Sequence, residues 1–221
     1  MAGKSDSALS ILLLAAALTA AAPPAFPEPP SSRVEALAAL RDADAARRAE
    51  AIVWIANRGA MDDAPLLHER LRDESPFVRG FAEQGLWLLW GRSGDAAIDQ
   101  LMARGTEEMQ SGQHAKAVAT FTSVINAKPD FAEAWNRRAT VHYLAGDFER
   151  SIADCGEVLK RNPLHFGALS GMGQIFFQMQ DYDRALAWFR RALEVNPNMT
   201  GVELNIKGIE ELLRDKRGRS T

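Results

Sequence analysis

The sequence predicts an all-α protein, built as an α-solenoid of antiparallel helix pairs. After residue 31, apolar residues recur at spacings of three and four, which is the spacing of one helix face. No stretch there keeps the period of two that a half-buried strand would show. In addition, Pro129, Pro163 and Pro197 lie 34 residues apart. A fixed period of this length is typical of stacked helical repeats.

The composition excludes several other classes of protein. The chain has 221 residues, of which 47% are hydrophobic and 25% charged, so wholesale disorder is excluded. The formal net charge is −3 and is spread evenly, which argues against a nucleic-acid partner. Cys155 is the single cysteine, so the chain has neither an internal disulfide nor a cysteine-based zinc site.

The first element has the layout of a secretory signal peptide. Lys4 precedes a short apolar run that ends in small residues at Ala22 and is followed by a proline-rich stretch. The run is shorter than the ~20 residues that a bilayer-spanning helix needs. We therefore expect a signal peptide over residues 1–22, a linker over residues 23–32, and a periplasmic or secreted protein with no membrane span after signal removal. An uncleaved N-terminal anchor is the alternative.

Residues 33–94 contain a weaker internal repeat. Leu40-Arg41-Asp42 and Leu71-Arg72-Asp73 lie 31 residues apart, and Arg48 and Arg79 share this offset. The pattern resembles two HEAT-type helix pairs, which carry Asp and Arg near their turns. Irregular helix pairs of another repeat type are the alternative.

The run Leu86-Trp87-Leu88-Leu89-Trp90 is the most apolar stretch after the N-terminal segment. Because it is apolar on all sides, we expect a helix that is buried from several directions, at the junction with the following repeats. The alternative is an exposed apolar patch, formed by Trp87 and Trp90, that binds a partner.

Residues 95–199 contain three units, at about 98–131, 132–165 and 166–199, with the same order of large and small residues before each proline. These residues are Leu101, Gly105, Ala117, Phe121 and Val124, then Trp135, Ala139, Ser151, Cys155 and Val158, then Leu169, Gly173, Ala185, Phe189 and Ala192. The pattern resembles the tetratricopeptide repeat (TPR) family. Small residues allow the two helices of a unit to approach closely, phenylalanines fill the space between repeats, and each proline ends a helix. Cys155 departs from the pattern, since it replaces an aromatic residue.

Two further features concern helix ends. Asp130, with Glu133 three residues later, is typical of a capping box at a helix start. After Pro197, apolar residues spaced four, three and four apart predict one capping helix over residues 200–214. We expect a solvated basic tail over residues 215–221.

The TPR resemblance implies a concave groove lined by the first helix of each unit. By family geometry, its partner-binding residues are Met102, Thr106, Met109, Asn136, Thr140, Tyr143, Ser170, Gln174, Phe177 and Gln178. The amides among them can bind the backbone of an extended peptide, and the Met and aromatic residues offer adaptable apolar contact.

Relatives that bind acidic chaperone tails hold the terminal carboxylate with basic residues and an asparagine at set places in this groove. The matching positions here are Met102, Thr106, Arg137, Gly167 and Gly171, of which one is basic. We therefore expect no binding of acidic chaperone tails.

No catalytic, cofactor or metal motif stands out. The chain lacks a phosphate-binding loop and a hydrolase elbow, and none of its four histidines is spaced four residues from another metal-ligand residue. Cys155 occupies a core position, without a base placed to activate it. We therefore expect no enzyme activity, no cofactor and no metal site.

The predicted function is an exported, non-enzymatic adaptor or scaffold that holds a protein or extended peptide in the concave TPR groove. The partner's identity is not encoded in a motif. The alternative is a structural component of an envelope assembly that associates with itself as a homo-oligomer.

Overall fold

The computed structural model describes residues 28–218, with side chains to residue 216. The predicted signal peptide, residues 23–27 of the predicted linker and the last residues of the predicted tail lie outside this part. The described residues form eleven α-helices and a short 3-10 turn at Met61–Asp63, without a strand, so the all-α solenoid prediction is confirmed. The helices are α1 (Arg33–Ala39), α2 (Ala45–Arg58), α3 (Ala64–Arg70), α4 (Pro76–Gly91), α5 (Ala96–Gln110), α6 (His114–Ala127), α7 (Ala132–Leu144), α8 (Phe148–Arg161), α9 (Phe166–Gln178), α10 (Tyr182–Val195) and α11 (Thr200–Gly218).

Helices α1–α4 make up what we call the N-terminal block (residues 33–91). Helix α2 starts at Asp44, whose side chain accepts a hydrogen bond from the Ala46 N–H, and α4 starts with Pro76 in its first turn. Within the block, α1 packs on α2, α3 on α4, and α2 on α4. Its apolar core includes Leu67 and Leu86, which have no exposed surface.

The 31-residue offset in this block corresponds to a repeated arrangement of two arginines. The Nη1 atom of Arg48 donates to the two carbonyl oxygens of the turn that begins at Asp42, at 2.8 and 2.9 Å. The Nη1 atom of Arg79 donates to the equivalent carbonyls of the turn that begins at Asp73, at 2.9 and 3.2 Å. Each arginine therefore satisfies backbone oxygens that no helix would satisfy.

The two arginines differ in the residue that they bind next. Arg48 forms two parallel bonds to the Asp73 carboxylate in the following helix pair, at 2.8 and 2.9 Å. Arg79 instead donates from Nε to Asn198 Oδ1 at 2.8 Å. Asn198 lies in the loop between α10 and α11, so this loop takes the place that a third helix pair would have next to the block.

Helices α5–α10 make up what we call the repeat array (residues 96–195), in which consecutive helices pack in pairs. A Cβ atom at Gly105 would lie 2.7 Å from the ring of Phe121, and one at Gly173 would lie 2.5 Å from the ring of Phe189. Glycine is therefore required at both positions for the close helix contact that the sequence pattern predicts. The first and third helix pairs share this contact.

The predicted capping box at Asp130 does not form. Helix α7 begins at Ala132 after Phe131, and no side chain caps its first turn. Glu133 is instead buried, where its carboxylate accepts from other side chains. Desolvation of a carboxylate is unfavourable unless partners compensate, and here Asn136 and Arg137 of the same helix and the more distant His165 replace the backbone N–H that a capping box would use.

Helix α11 extends to Gly218, beyond the predicted end at residue 214, so the first residues of the predicted tail are helical. It packs on α10. Val202 and Ile209 are buried against the last helix pair. The helix covers the end of the array, as a capping helix does.

The N-terminal block packs onto the middle and end of the repeat array. The rings of Trp90 and His165 stack with centroids 4.3 Å apart, and the rings of Trp87 and Phe166 meet edge to face at 5.2 Å. Among the described residues, the apolar cluster of the block includes Phe166 of α9 but no residue of α5. Trp87 and Trp90 therefore do not form the exposed partner-binding patch that was the alternative prediction. Trp90 is 3% exposed, and both indoles contact the array.

Candidate functional site

A pocket of about 180 Å³ opens between the first helices of the second and third helix pairs, α7 and α9. Helix α8 forms its floor through Ser151 and Cys155. Four of the predicted groove residues line it together, namely Asn136, Thr140, Tyr143 and Gln174. The remaining lining residues are small or apolar: Ala139, Gly167, Gly171 and Ile175.

The pocket exists because the middle unit departs from the pattern of its neighbours. Phe121 and Phe189 fill the space beside Gly105 and Gly173, whereas Cys155 at the matching position has a much shorter side chain. Gly171 adds room on the opposite wall, since a Cβ atom there would lie 3.8 Å from the Cys155 sulfur. Space that neighbouring repeats fill with a phenylalanine ring is therefore open to a ligand.

The Cys155 thiol is suited to packing rather than to chemistry. Burial, reinforced by the charge of Asp154, raises the pKa of Cys155 to about 12. The neutral thiol is a poor nucleophile and behaves as a small apolar group. The floor of the pocket is thus apolar at neutral pH.

The rim of the pocket carries amides and a hydroxyl. Asn136 donates from Nδ2 to Glu133 Oε2 at 3.0 Å, which leaves its carbonyl oxygen available. Thr140 donates from Oγ1 to the Asn136 backbone oxygen at 3.0 Å. The half-buried Gln174 amide makes no hydrogen bond within the described residues. These groups can bind the N–H and C=O groups of an extended chain.

A buried pair beneath the rim sets the position of Asn136. Glu133 Oε2 lies 3.1 Å from His165 Nε2, and His165 Nδ1 accepts the Ala168 N–H at 3.1 Å, so the ring donates to Glu133. Burial alone would raise the pKa of Glu133, but the hydrogen bond from His165, and then the Arg137 guanidinium, hold that pKa below its usual range. The carboxylate therefore stays ionised and acts as an acceptor for Asn136.

A second, wider pocket of about 650 Å³ adjoins the first along α9 and extends to α11. Ser170 and Gln174 line it from α9, and Asn198, Thr200 and Asn205 line it from the opposite side. Glu83 of α4 also lines this pocket. The N-terminal block thus lines part of the groove, whereas the sequence analysis predicted a groove lined by the repeats alone.

The other predicted groove residues lie elsewhere. Met102 is 7% exposed and belongs to the apolar cluster between α5 and α6, so its assignment to the groove surface is corrected. Thr106 donates to the Met102 backbone oxygen at 2.8 Å, and Met109 packs against the same cluster. Phe177 and Gln178 are exposed at the far end of α9 and line neither pocket.

Glu83, Cys155 and Asn198 are among the residues of this site that sequence reasoning missed. A signal existed for Cys155, because a short residue in an aromatic position predicts unfilled space. No signal existed for Glu83 or Asn198, which reach the site only through the packing of the block on the array.

Metal-ligand clusters and membrane-spanning helices are both absent from the described residues. Within residues 28–216, no three His, Cys, Asp or Glu side chains are grouped as a metal site would require. Over the same part of the chain, no helix combines the length and apolar character needed to cross a membrane.

Comparison with known proteins identifies the class of the array. The profile of the tetratricopeptide repeat family matches residues 102–156 and, separately, residues 167–199. A TPR repeat-containing protein of Rhizobium etli is 30% identical over 152 residues, which is 69% of this chain and 74% of that protein. The chain belongs to the tetratricopeptide repeat family.

Other relatives are much longer than the region they share. The small glutamine-rich tetratricopeptide repeat-containing protein of Dictyostelium discoideum is 26% identical over 117 residues, and the match spans 35% of its length. The Hsp70-Hsp90 organizing protein 1 of Glycine max is 24% identical over 124 residues, and the match spans 22% of it.

Solved structures of TPR domains share the fold. The first TPR of Spaghetti, bound to an HSP90 peptide of sequence SRMEEVD, has a TM-score of 0.51 at 22% identity and covers 53% of this chain and 93% of its own. The Sgt2 TPR domain from Aspergillus fumigatus has a TM-score of 0.53 at 19% identity and covers 56% of this chain and 83% of its own. These likenesses show a helical solenoid of TPR type.

Proposed function

We propose that this protein is a non-enzymatic adaptor that holds an extended peptide or protein segment on the concave face of its TPR array. The observation that carries the proposal is the pocket between α7 and α9, at which Asn136, Thr140, Tyr143 and Gln174 meet. An apolar cavity with a few polar groups on its rim is the usual form of a ligand site. The predicted alternative, a self-associating structural component, is an outcome of the test below.

The proposal extends to the repeat organisation. The helix pairs α5–α6, α7–α8 and α9–α10 are three tetratricopeptide repeats, supported by the 34-residue spacing of their prolines. The N-terminal block is a pair of HEAT-like units, supported by the matching turn contacts of Arg48 and Arg79.

The groove is poorly suited to the acidic tails that some relatives bind. Arg137 is the basic residue among the clamp positions, and its Nε already donates to Glu133 Oε1 at 2.7 Å. A Cβ atom at Gly167, another clamp position, would clash with the Trp87 ring, so no basic side chain fits there. A terminal carboxylate would therefore find a single cation at these positions, and that cation is already paired with Glu133.

Photo-crosslinking tests the adaptor proposal. A crosslinking residue replaces Gln174 on the rim, and a control replaces Arg150, which is exposed on α8 and lines neither pocket. We expect adducts with a distinct protein from position 174 and none from position 150. Capture of the protein's own chain from position 174 would favour the structural alternative, and equal or absent capture at both positions would contradict a groove function.

We also propose that the adaptor acts in the periplasm or outside the cell, on the basis of the signal-like pattern of residues 1–22. Expression with the native N-terminus, cell fractionation and N-terminal sequencing test this localisation. The expected product begins after the small residues near Ala22 and leaves the cytoplasm. A full-length protein in the membrane fraction would indicate the anchored alternative.

A further inference from the structure

We propose that the N-terminal block supplies the charged wall of the ligand site, so that the groove selects a peptide with an apolar side chain close to a lysine or arginine. This inference rests on the proposed function, because it names the chemistry of the partner that the same groove would hold. The residue that carries it is Glu83 of α4.

The two pockets form one continuous site. Gly167, Gly171 and Gln174 line both of them, so a ligand that enters one pocket lies at the edge of the other. In an extended chain, residues two apart place their side chains on the same face, about 7 Å from each other. One peptide can therefore fill both pockets with neighbouring side chains.

The smaller pocket has the size of a single side chain. An apolar cavity of about 150 Å³ in another protein holds a benzene molecule. The volume of about 180 Å³ between α7 and α9 therefore accommodates a side chain between leucine and phenylalanine in size. The neutral Cys155 thiol and Ile175 provide apolar contact for such a group.

The larger pocket contains one carboxylate without a direct partner. Among the described residues that line the two pockets, Glu83 is the charged one, and the others are neutral. Its carboxylate makes no ion pair or hydrogen bond with described residues. The neighbouring Arg79 on the same helix donates its hydrogen bonds to Asn198 and to the turn at Asp73, not to Glu83. A ligand cation is thus the available partner for this charge, and an acidic peptide would meet repulsion.

This charge reverses the preference implied by the HSP90 peptide in the related complex, which contains three acidic residues and one arginine. The reversal is a property of the two parts together, since the array provides the apolar pocket and α4 provides the carboxylate.

A peptide library and a charge reversal test the inference on the full chain. The library contains acetylated Gly-Ser-X-Ser-Z-Ser-Gly peptides, in which X and Z take every amino acid except cysteine. The strongest binder and its Z-position Lys, Gln and Glu versions are then titrated by fluorescence anisotropy. The protein is used as wild type, Glu83→Gln and Glu83→Lys, with Glu149→Lys as a control that introduces the same charge on exposed α8.

We expect apolar residues at X, with Lys or Arg at Z binding ~5-fold tighter than Gln, the upper range for a partly exposed ion pair. Glu83→Gln should remove this difference and Glu83→Lys should make Glu at Z the preferred residue, while Glu149→Lys should change neither. Circular dichroism melting checks that each variant folds.

Two contrary outcomes are distinguishable. If the apolar preference at X is kept and is lost in Gln174→Ala, but Z is unaffected by Glu83, the inference is wrong and the adaptor proposal stands. If no peptide of the library binds, or if neither Gln174→Ala nor Glu83→Lys changes binding, the inference and peptide binding in the groove are both contradicted.

Discussion

The repeat array and the N-terminal block are both built from antiparallel helix pairs, but different forces hold their neighbours together. In the array, the rings of Phe121 and Phe189 each pack against a glycine of the other helix in the same pair. In the block, Arg48 and Arg79 satisfy turn carbonyls, and Arg79 also reaches a partner 119 residues away in the sequence. The glycine–phenylalanine contacts of the array thus join helices that are adjacent in the sequence, whereas the bond from Arg79 to Asn198 joins the block to a loop at the far end of the array.

This difference explains why the two parts meet as they do. A repeat array ends in a surface that a neighbour or a cap must cover, and α11 covers one such end. The block ends in Arg79 and in the indoles of Trp87 and Trp90, which require specific partners. Those partners are Asn198 and the His165–Phe166 corner of the array.

The largest effect should come from Phe166, which belongs to α9 but has no exposed surface within the apolar cluster of the block. Phe166→Ala should lower the free energy of unfolding by about 3–5 kcal/mol, because a large cavity forms between the two parts. Phe177→Ala, at a ring of the same helix that is 37% exposed and meets Tyr182 edge to face, is the control and should cost about 1 kcal/mol. Urea denaturation measures both. Equal losses would show that the block does not depend on α9.

A substitution at Gly167 tests whether the N-terminal block packs on the array in solution. Gly167→Ala places a Cβ atom 2.3 Å from Trp87 and should destabilise the protein by about 1–3 kcal/mol through overpacking. Gly156→Ala, where a Cβ atom meets nothing within 4 Å, should stabilise by up to about 1 kcal/mol, because alanine favours a helix interior.

In a double-mutant cycle, Gly167→Ala should cost less in a Trp87→Ala background than in the wild type, because the ring that it clashes with is absent. If Gly167→Ala is as harmless as Gly156→Ala, then α4 does not pack on α9 in solution.

Acid should destabilise the block through His68. Burial, then the nearby His165 and Arg72, lowers the pKa of His68 to about 4 from an ordinary 6.5. The unfolded chain therefore binds the proton first, and stability is lost as the pH falls from about 6.5 to about 4. Because the ring is partly open to solvent, we expect this loss to be at most about 2 kcal/mol.

His68→Phe should flatten this part of the pH profile, as measured by urea midpoints at several pH values. His114→Phe, at the start of α6 in the array, is the matched control. If the urea midpoint of His68→Phe depends on pH as steeply as that of the wild type, groups other than His68 cause the acid sensitivity.

The smallest change in stability is expected for a substitution in the middle repeat. The same substitution should have the largest effect on peptide binding. Ala139→Gly combined with Cys155→Phe gives this repeat the glycine–phenylalanine contact of its neighbours and fills the pocket. We expect a change in stability of about 1 kcal/mol or less, because volume is filled in a site shaped for it. Peptide binding should be lost. Binding that persists in the double variant would place the ligand outside the pocket between α7 and α9.

Part of the site was accessible from the sequence. Asn136, Thr140, Tyr143 and Gln174 were predicted from their slots in a repeating unit, and they meet at one pocket because the helices repeat regularly. Met102 was misplaced, because its slot alone does not say whether the helix rotates it into the core. Glu83 was not predicted, since nothing in a periodic pattern indicates which helix of a separate block lies across the groove.

The sequence by itself determined the helix pairs, their order and the ends of the repeats, because the 3.6-residue period, the prolines and the small-to-large contacts act between residues close in the chain. Only the tertiary structure decided where the N-terminal block lies and what charge the groove presents. The pairs Arg79–Asn198 and Trp87–Gly167 join residues 119 and 80 positions apart, and neither pair belongs to a repeating pattern. Such contacts follow from the shapes of two folded surfaces, which exist only once the local helices have packed.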